Sequence, residues 1–210
     1  MTRKIIKWVI FALAVIAVIR FSFYVEPLHE HKEKELMKKF SPDQLVEYHW
    51  NNDLEALLSN ALEVEVFNQG MMSDAKGFSL KYAKSPGIGA GSYFLIKGKV
   101  RVTGKSEEAV TFDFCGETKA GLLTKFIFTN TARDASGWFD ADAFQNTMDY
   151  NSVSTCLNKI IVEKVAKPVI DSICIGSCIE FWGAIEVNPD KYPVKNIDIV
   201  PFKIKLSGND

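Results

Sequence analysis

The chain has few of the residues that build catalytic or metal centres. It contains only three histidines, His29, His31 and His49, all in its first quarter. Four cysteines are too few for a dense disulfide scaffold, and 47% hydrophobic residues are too many for a disordered chain. The sequence shows no Ser-His-Asp, Cys-His or zinc-ligand pattern. We therefore expect a protein that is not an enzyme and that holds no metal and no cofactor.

A strong excess of charge is also missing, because 25 basic groups nearly balance 26 acidic groups. The balance is uneven along the chain. Residues 1–25 carry four basic groups and no acid, so the other 185 residues carry 21 basic and 26 acidic groups. A protein that binds nucleic acid usually presents a basic surface. The acidic body argues against a nucleic-acid-binding role, and we expect no nucleic-acid partner.

The basic N-terminus leads into an apolar run long enough to cross a bilayer. Ile5–Val25 is interrupted only by Arg20, whose side chain can reach a lipid headgroup. We predict an uncleaved signal anchor over residues 1–25, with a cytoplasmic N-terminus and the body on the outer side. A cleaved signal peptide is the alternative, with Ala12–Ala14 as the site. No cysteine that could be lipidated follows the run, and residues 26–40 form a charged stalk.

Helical patterns occupy residues 41–91. Ser41, Pro42 and Gln44 predict a helix start with a capping box, and a leucine stripe over Leu54–Leu62 predicts a second helix. One further turn is expected within Lys76–Lys84. The glycine-rich stretch Pro86–Ser92 lacks the strand-to-helix setting of a phosphate-binding loop, so it is interpreted as a connector.

Alternation of apolar and polar residues predicts five strands in residues 92–210. The order is three strands, a helix and two strands, which is the order of the OB-fold barrel. We therefore predict an α+β protein with a five-stranded OB-like barrel, although a split α+β sheet could use the same elements. The predicted strands are Phe94–Val102, Val110–Phe114, Leu122–Thr129, Ile179–Val187 and Ile197–Leu206, and the third is apolar on both faces near Phe126–Phe128. The predicted helix covers Asn151–Ala166 and is ended by Pro168.

Basic residues lie on the predicted outer face of this barrel. In OB order the fourth strand lies between the first and the fifth, and it carries Glu180 and Glu186. Cross-strand ion pairs then explain the basic side chains without nucleic acid. The basic residues are Lys97, Lys99, Arg101, Lys203 and Lys205.

Several segments resemble a known family. The strongest is the run Phe144-Gln145-Asn146-Thr147-Met148-Asp149-Tyr150, which continues to Leu157-Asn158. Further similar segments are Trp50, Tyr93–Val100, Phe181–Ala184 and Val200–Lys203, so that the resemblance covers about residues 41–206. The family is that of the predicted periplasmic lipoproteins encoded beside sugar-uptake ABC transporters, whose biochemical role is not established.

The resemblance implies an OB-like barrel in the bacterial periplasm and a link to solute uptake. Members usually carry a lipidated cysteine after the signal, whereas this chain has none there. We therefore expect a single-pass inner-membrane protein with a periplasmic domain. Asn146, Asp149 and Asn158 lie in the family-like run, and together with Trp182 they are our candidates for ligand or partner contact.

Other side chains offer structural interpretations. Cys174 and Cys178 are expected to close a local disulfide around Gly176, whereas Cys115 and Cys156 are either bonded or free. Asn151 or Ser152 is expected to cap the following helix, with Asp149 favouring its N-terminus. Acidic residues gather around Trp138, but their spacing does not match a calcium loop and solvated side chains are expected. They are Asp134, Asp140 and Asp142.

These observations lead to a functional prediction. We expect a membrane-anchored periplasmic accessory or binding protein for an unknown small ligand or partner, with a link to sugar uptake. The alternative is a structural subunit that scaffolds a membrane complex, such as a transporter, through the Leu54–Leu62 helix. A nucleic-acid-binding OB module is the third and least favoured interpretation.

Overall fold

The computed structural model describes residues 40–85 and 91–207. The predicted signal anchor, the stalk up to residue 39 and most of the glycine-rich connector lie outside these residues. Within them, no helix has both the length and the apolar character that crossing a bilayer requires.

Helices and one short strand precede the main sheet. Helix α1 (Pro42–Asn52) has Pro42 in its first turn as predicted, but Ser41 makes no side-chain capping bond, so the predicted capping box is not formed. Helix α2 (Leu54–Ser59) is shorter than predicted, because Leu62 enters strand β1 (Leu62–Glu63). Helix α3 (Val64–Tyr82) is far longer than the single expected turn and is interrupted at Asp74, whose backbone is not helical.

Seven strands form one sheet. After β1, the strands are β2 (Ser92–Arg101), β3 (Gly104–Lys105), β4 (Ala109–Cys115), β5 (Thr118–Leu123), β6 (Cys178–Val187) and β7 (Asn196–Ser207). The order across the sheet is β1-β2-β6-β7-β5-β4-β3. The pairs β1–β2 and β5–β7 are parallel and the others antiparallel. The predicted fourth strand, β6, lies between the first and fifth as expected.

The predicted five-stranded closed barrel is wrong, because the sheet is open and has seven strands. Two edge strands of two residues each were missed, since so short a run carries no alternation. The sheet is nevertheless strongly curved. Only two residues separate β2 from β3, a span of at most about 11 Å. In a flat sheet the same strands would lie five steps apart, or about 24 Å.

The segment between the two halves of the sheet is helical. It contains helix α4 (Thr131–Ser136) and helix α5 (Thr147–Ile161). A π-helical stretch, Val162–Ala166, then joins α5 to helix α6 (Lys167–Ile170). Pro168 was expected to end the helix, but it lies in the first turn of α6, where a missing N–H is tolerated.

The core lies between the curved sheet and the helices. The face predicted to point inward is buried, and Phe94, Phe112, Phe181 and Phe202 are almost completely inaccessible. Phe112 and Phe181 pack with ring centroids 5.4 Å apart. On α5, Val153, Leu157 and Ile161 are buried as their spacing predicts, so this helix packs firmly against the rest of the fold.

Candidate functional site

Most of the segment predicted as the third strand is instead a loop held by helix α5. Strand β5 ends at Leu123, and residues 126–130 form what we call the anchored loop. The side-chain amide Nδ2 of Asn158 donates to the carbonyl oxygens of Ile127 and Thr129, each at 2.8 Å. The Ser154 hydroxyl donates to Oδ1 of Asn130 at 3.0 Å. The loop backbone is therefore fixed without belonging to the sheet.

This anchoring leaves apolar side chains in solvent. Phe128 is 93% exposed and Ile127 is 60% exposed, although both belong to the apolar run that predicted a strand. Asn158 is only 1% exposed, and its Oδ1 accepts no hydrogen bond from the residues that the structure describes. Asn158, predicted as a contact residue, thus lies beneath the loop and positions it.

Two clefts flank the anchored loop. The strand cleft, of about 620 Å³, lies between the loop and the β6–β7 connection, and its lining includes Phe126, Asn188 and Asp198. The helix cleft, of about 510 Å³, lies between the loop and α5. Phe128 and Glu186 line both. The loop therefore separates two neighbouring concave surfaces that share an aromatic ring and a carboxylate.

Polar groups dominate the helix cleft. Besides Glu186, its lining includes the hydroxyl or amide side chains of Tyr93, Asn130, Asn151 and Thr155. No lysine, arginine, histidine or cysteine lines either cleft among the described residues. The arrangement offers neutral hydrogen-bonding groups and negative charge, which disfavours an anionic ligand.

Tyr93 and Glu186 form the polar wall of the helix cleft. They are directly paired residues on β2 and β6. Burial, followed by the nearby Glu186 carboxylate, raises the pKa of Tyr93 above its ordinary value. Tyr93 therefore stays protonated and can donate a hydrogen bond at physiological pH.

A buried ion pair supports the helix cleft from below. Arg133 donates from Nε and Nη2 to the two carboxylate oxygens of Asp134, at 2.7 and 3.1 Å. The Tyr150 hydroxyl donates to Asp134 at 3.1 Å, and the Arg133 guanidinium lies 3.6 Å from the Tyr150 ring centre. Arg133 Nη1 also donates to Oδ1 of Asn151 at 3.1 Å, which orients a residue of the cleft. Burial, and then the Asp134 carboxylate, raises the pKa of Tyr150 to about 12.

The acidic residues near Trp138 do not form one cluster. Asp134 belongs to the buried ion pair, whereas Asp140 caps a short 3-10 turn by accepting from the Asp142 backbone at 3.0 Å. In the described part of the chain, no group of three potential metal ligands converges. Asp134, Asp140 and Asp142 were all expected to be solvated. That expectation is wrong for Asp134, because its carboxylate is buried in an ion pair with Arg133.

Asn146 and Asp149 have a structural position at the start of α5. Asn146 is the N-cap: its Oδ1 accepts from the Asp149 backbone at 2.9 Å, and its amide donates to the Asp149 carboxylate at 3.0 Å. The predicted caps, Asn151 and Ser152, instead lie inside the helix. Neither Asn146 nor Asp149 lines the two clefts.

Trp182 lies on the outer face of the sheet, opposite to the buried Phe181, and it lines neither cleft. The ammonium groups of Lys203 and Lys205 lie 5.5 and 5.1 Å from its ring centre. These lysines face Glu55 at 3.2 Å and Glu180 at 4.0 Å. Glu180 forms an ion pair with a lysine of this face, as predicted. Glu186 was predicted to do the same, but it lines the two clefts instead.

All four cysteines are free thiols. The predicted disulfide between Cys174 and Cys178 is not formed. The turn is closed by hydrogen bonds instead: Ser177 N–H donates to the Cys174 carbonyl at 3.0 Å, and Cys174 N–H donates to the Ser177 hydroxyl at 3.1 Å. Burial, and then a hydrogen bond to Asp43, raises the pKa of Cys156 to about 11.

Comparison with known proteins identifies relatives of this fold. The family model "Predicted periplasmic lipoprotein (DUF2291)" matches residues 13–205. A crystal structure of an OB-fold protein from Thermotoga maritima superposes with a TM-score of 0.70 and 21% identity, covering 80% of this chain and 99% of that one. No protein with a curated description matches the chain. The predicted OB-like architecture and the family resemblance are therefore confirmed.

Proposed function

Because the chain belongs to the predicted periplasmic lipoprotein family, a membership that indicates a periplasmic, membrane-associated protein, we propose that it is a non-enzymatic accessory protein that binds a small neutral sugar. The two clefts beside the anchored loop are the proposed binding site. One observation carries the proposal: an exposed aromatic ring, Phe128, lies between two polar clefts that no basic side chain lines among the described residues.

The chemistry of the clefts suits a polyhydroxylated ligand. A sugar hydroxyl donates and accepts, so it pairs with amides such as Asn130 and Asn151 and with a carboxylate such as Glu186. The ring carbons of a sugar present an apolar face that can lie against Phe128. Sugar phosphates and organic acids would meet Glu186 and Asp198 without any basic partner, so we expect them to bind poorly.

The location within the fold also favours binding. OB-folds use the loop between their last two strands, together with another loop, to bind oligosaccharides and oligonucleotides. Here that connection joins β6 to β7, and its residues Asn188 and Val194 line the strand cleft. A periplasmic sugar-binding accessory protein fits the solute-uptake context that the family resemblance implies.

The test is a binding screen with the full-length protein in detergent micelles. We expect a neutral mono- or oligosaccharide at 100 times its Kd to raise Tm by about 5–10 °C. Phe128→Ala should reduce the shift to less than half at the same sugar concentration. Met148→Ala is the matched control, because Met148 is 80% exposed on α5 and lines neither cleft. Tighter binding of sugar phosphates than of neutral sugars would contradict the proposal.

A scaffolding role is the second candidate, and the exposure of Ile127 and Phe128 on a fixed loop favours it. The Leu54–Leu62 helix is a poor docking surface, because Leu57 and Leu58 are 8% and 4% exposed. If the anchored loop docks a membrane-complex subunit, the native protein purified from solubilised membranes should carry a stoichiometric partner. The Phe128→Asp variant should lose that partner, and no sugar should change the Tm of the native protein.

A further inference from the structure

A row of polar side chains crosses three neighbouring strands at the two clefts. Tyr93 on β2 pairs directly with Glu186 on β6. The last pair of the β6–β7 ladder is Ile185 with Ile199. In this antiparallel register the adjoining residues, Glu186 and Asp198, lie opposite each other. Because opposed residues share a face of the sheet, Tyr93, Glu186 and Asp198 form one row, which we call the polar row.

Glycines leave both ends of the polar row uncovered. A Cβ atom on Gly91 would lie 2.6 Å from Oε1 of Glu186 and 3.1 Å from the Tyr93 hydroxyl, so these two polar groups converge where a side chain is missing. At the other end, Asp198 pairs with Gly121 on β5, and a Cβ atom there would lie 3.6 Å from Oδ1 of Asp198. No β5 side chain therefore covers this carboxylate from its paired position.

The polar row runs through both clefts beside the anchored loop. Tyr93 lines only the helix cleft, Asp198 lines only the strand cleft, and Glu186 lines both. Phe128 also lines both, and its 93% exposed side chain marks the boundary between them. A ligand in one cleft can therefore continue into the other by crossing this exposed ring.

The polar row is longer than one sugar ring. Neighbouring strands lie about 4.8 Å apart, so the backbones of Tyr93 and Asp198 are about 10 Å apart. Bond lengths near 1.5 Å make a six-membered sugar ring about 5–6 Å long from one hydroxyl oxygen to the opposite one. One ring can thus contact Glu186 and one end of the row, whereas two linked rings can reach both ends.

Each cleft has the size and the polar groups to hold a sugar ring by itself. The volumes of about 620 and 510 Å³ both fall within the range of about 300–1,000 Å³ that is usual for small-molecule sites. Besides the row, the strand cleft is lined by Asn188 and Asn196, and the helix cleft by Asn151 and Thr155. Each side therefore has its own donors and acceptors for the hydroxyls of one ring.

We propose that the two clefts are subsites for one neutral oligosaccharide of at least two sugar rings, with one ring in each cleft and the linkage crossing at Phe128. This inference rests on the proposed sugar-binding function and adds the length of the ligand to it. The carboxylates of Glu186 and Asp198 accept hydrogen bonds from ring hydroxyls, and the Tyr93 hydroxyl donates one. A monosaccharide leaves one cleft empty and forgoes its hydrogen bonds, so it binds more weakly.

The first experiment compares ligand lengths with the full-length protein in detergent micelles. An array of neutral mono-, di- and trisaccharides identifies the saccharide that binds best, and calorimetry measures its affinity and that of its component monosaccharides. A di- or trisaccharide should bind at least tenfold more tightly than any of its monosaccharides, with one molecule per chain.

The outcomes separate this inference from the proposed function. A monosaccharide that binds as tightly as the longer saccharides, or two disaccharide molecules per chain, would show that the clefts are not subsites of one site, while sugar binding would stand. If no neutral saccharide binds, both the inference and the proposed function are wrong.

The second experiment removes one polar group from each cleft. Tyr93→Phe removes a hydroxyl from the helix cleft, and Asp198→Asn removes a charge from the strand cleft. Each should weaken binding of the best disaccharide about three- to tenfold, and the double variant should show the product of the two losses. Asp113→Asn is the matched control, because Asp113 is an exposed strand aspartate that lines neither cleft, and it should bind like the native protein.

A loss of affinity in only one of the two single variants would contradict the inference, because the ligand would then occupy one cleft. Native affinity in both would place the sugar outside the clefts and overturn the inference together with the proposed site. If Tyr93→Phe fails to fold, Thr155→Val makes the same test from an exposed position of the helix cleft, with the same outcomes.

Discussion

Replacing Asn158 by alanine tests whether this side chain holds the anchored loop. The change removes two hydrogen bonds of 2.8 Å to the Ile127 and Thr129 carbonyls. Each is worth about 1 kcal/mol, and the void left by the buried amide adds about as much. Removing Oδ1, which is buried without a partner among the described residues, recovers about 1 kcal/mol. We therefore expect a loss of about 2 kcal/mol.

Two further variants separate this explanation from a general weakening of α5. Asn158→Asp keeps the size but loses the donor and places a carboxylate against two carbonyls, so it should cost more than alanine. Asn146→Ala is the matched control on the same helix. It removes an N-cap, which costs about 1 kcal/mol, and leaves the loop bonds intact.

The assay is urea unfolding followed by tryptophan fluorescence, together with the rate of chymotryptic cleavage after Phe128. Asn158→Ala should speed the cleavage in the folded protein, and Asn146→Ala should not. Equal unfolding free energies for the two alanine variants, with unchanged cleavage, would show that Asn158 does not anchor the loop.

Three other outcomes follow from buried groups. Asp134→Asn leaves the Arg133 guanidinium buried without its counter-charge and should cost about 3–5 kcal/mol in urea unfolding, whereas Arg133→Met with Asp134→Leu should cost less. Alkylation without reductant, read by mass spectrometry, should modify exposed Cys174 first and Cys156 last, because a pKa of about 11 keeps the Cys156 thiol protonated. If Cys174 is alkylated only after reductant is added, it is in a disulfide, and the assignment of Cys174 as a free thiol is wrong. Ultraviolet titration should show Tyr150 ionising near pH 12, later than an exposed tyrosine near pH 10.

The long strands could be predicted from the sequence because their inner positions are filled by large apolar residues. β6 and β7 were placed within one residue at each end, and the buried side of α5 was identified from its spacing. The edge strands β1 and β3 could not be found, since two residues define no period. Most of helix α3 was missed because glycines and Asp74 interrupt its apolar pattern, and only its last part was expected as a helical turn.

The candidate site could be predicted only in part. Asn158 was selected from the family-like run, but its role as an anchor depends on carbonyls some thirty residues earlier. Glu186 was assigned to cross-strand ion pairing, and Tyr93 was treated as a strand residue. Their meeting at the helix cleft follows from the β2–β6 register, which periodicity alone does not define.

The failure of the third predicted strand is the strongest physical reason to place binding at the anchored loop. A strand over Leu122–Thr129 would satisfy its carbonyls through a ladder and pack its apolar side chains. Asn158 satisfies the Ile127 and Thr129 carbonyls instead, so the loop backbone needs no neighbouring strand. Phe128 is then left in solvent, which forgoes about 1.5–3 kcal/mol of burial. A ligand or partner that covers Phe128 between the two clefts would recover that free energy on binding.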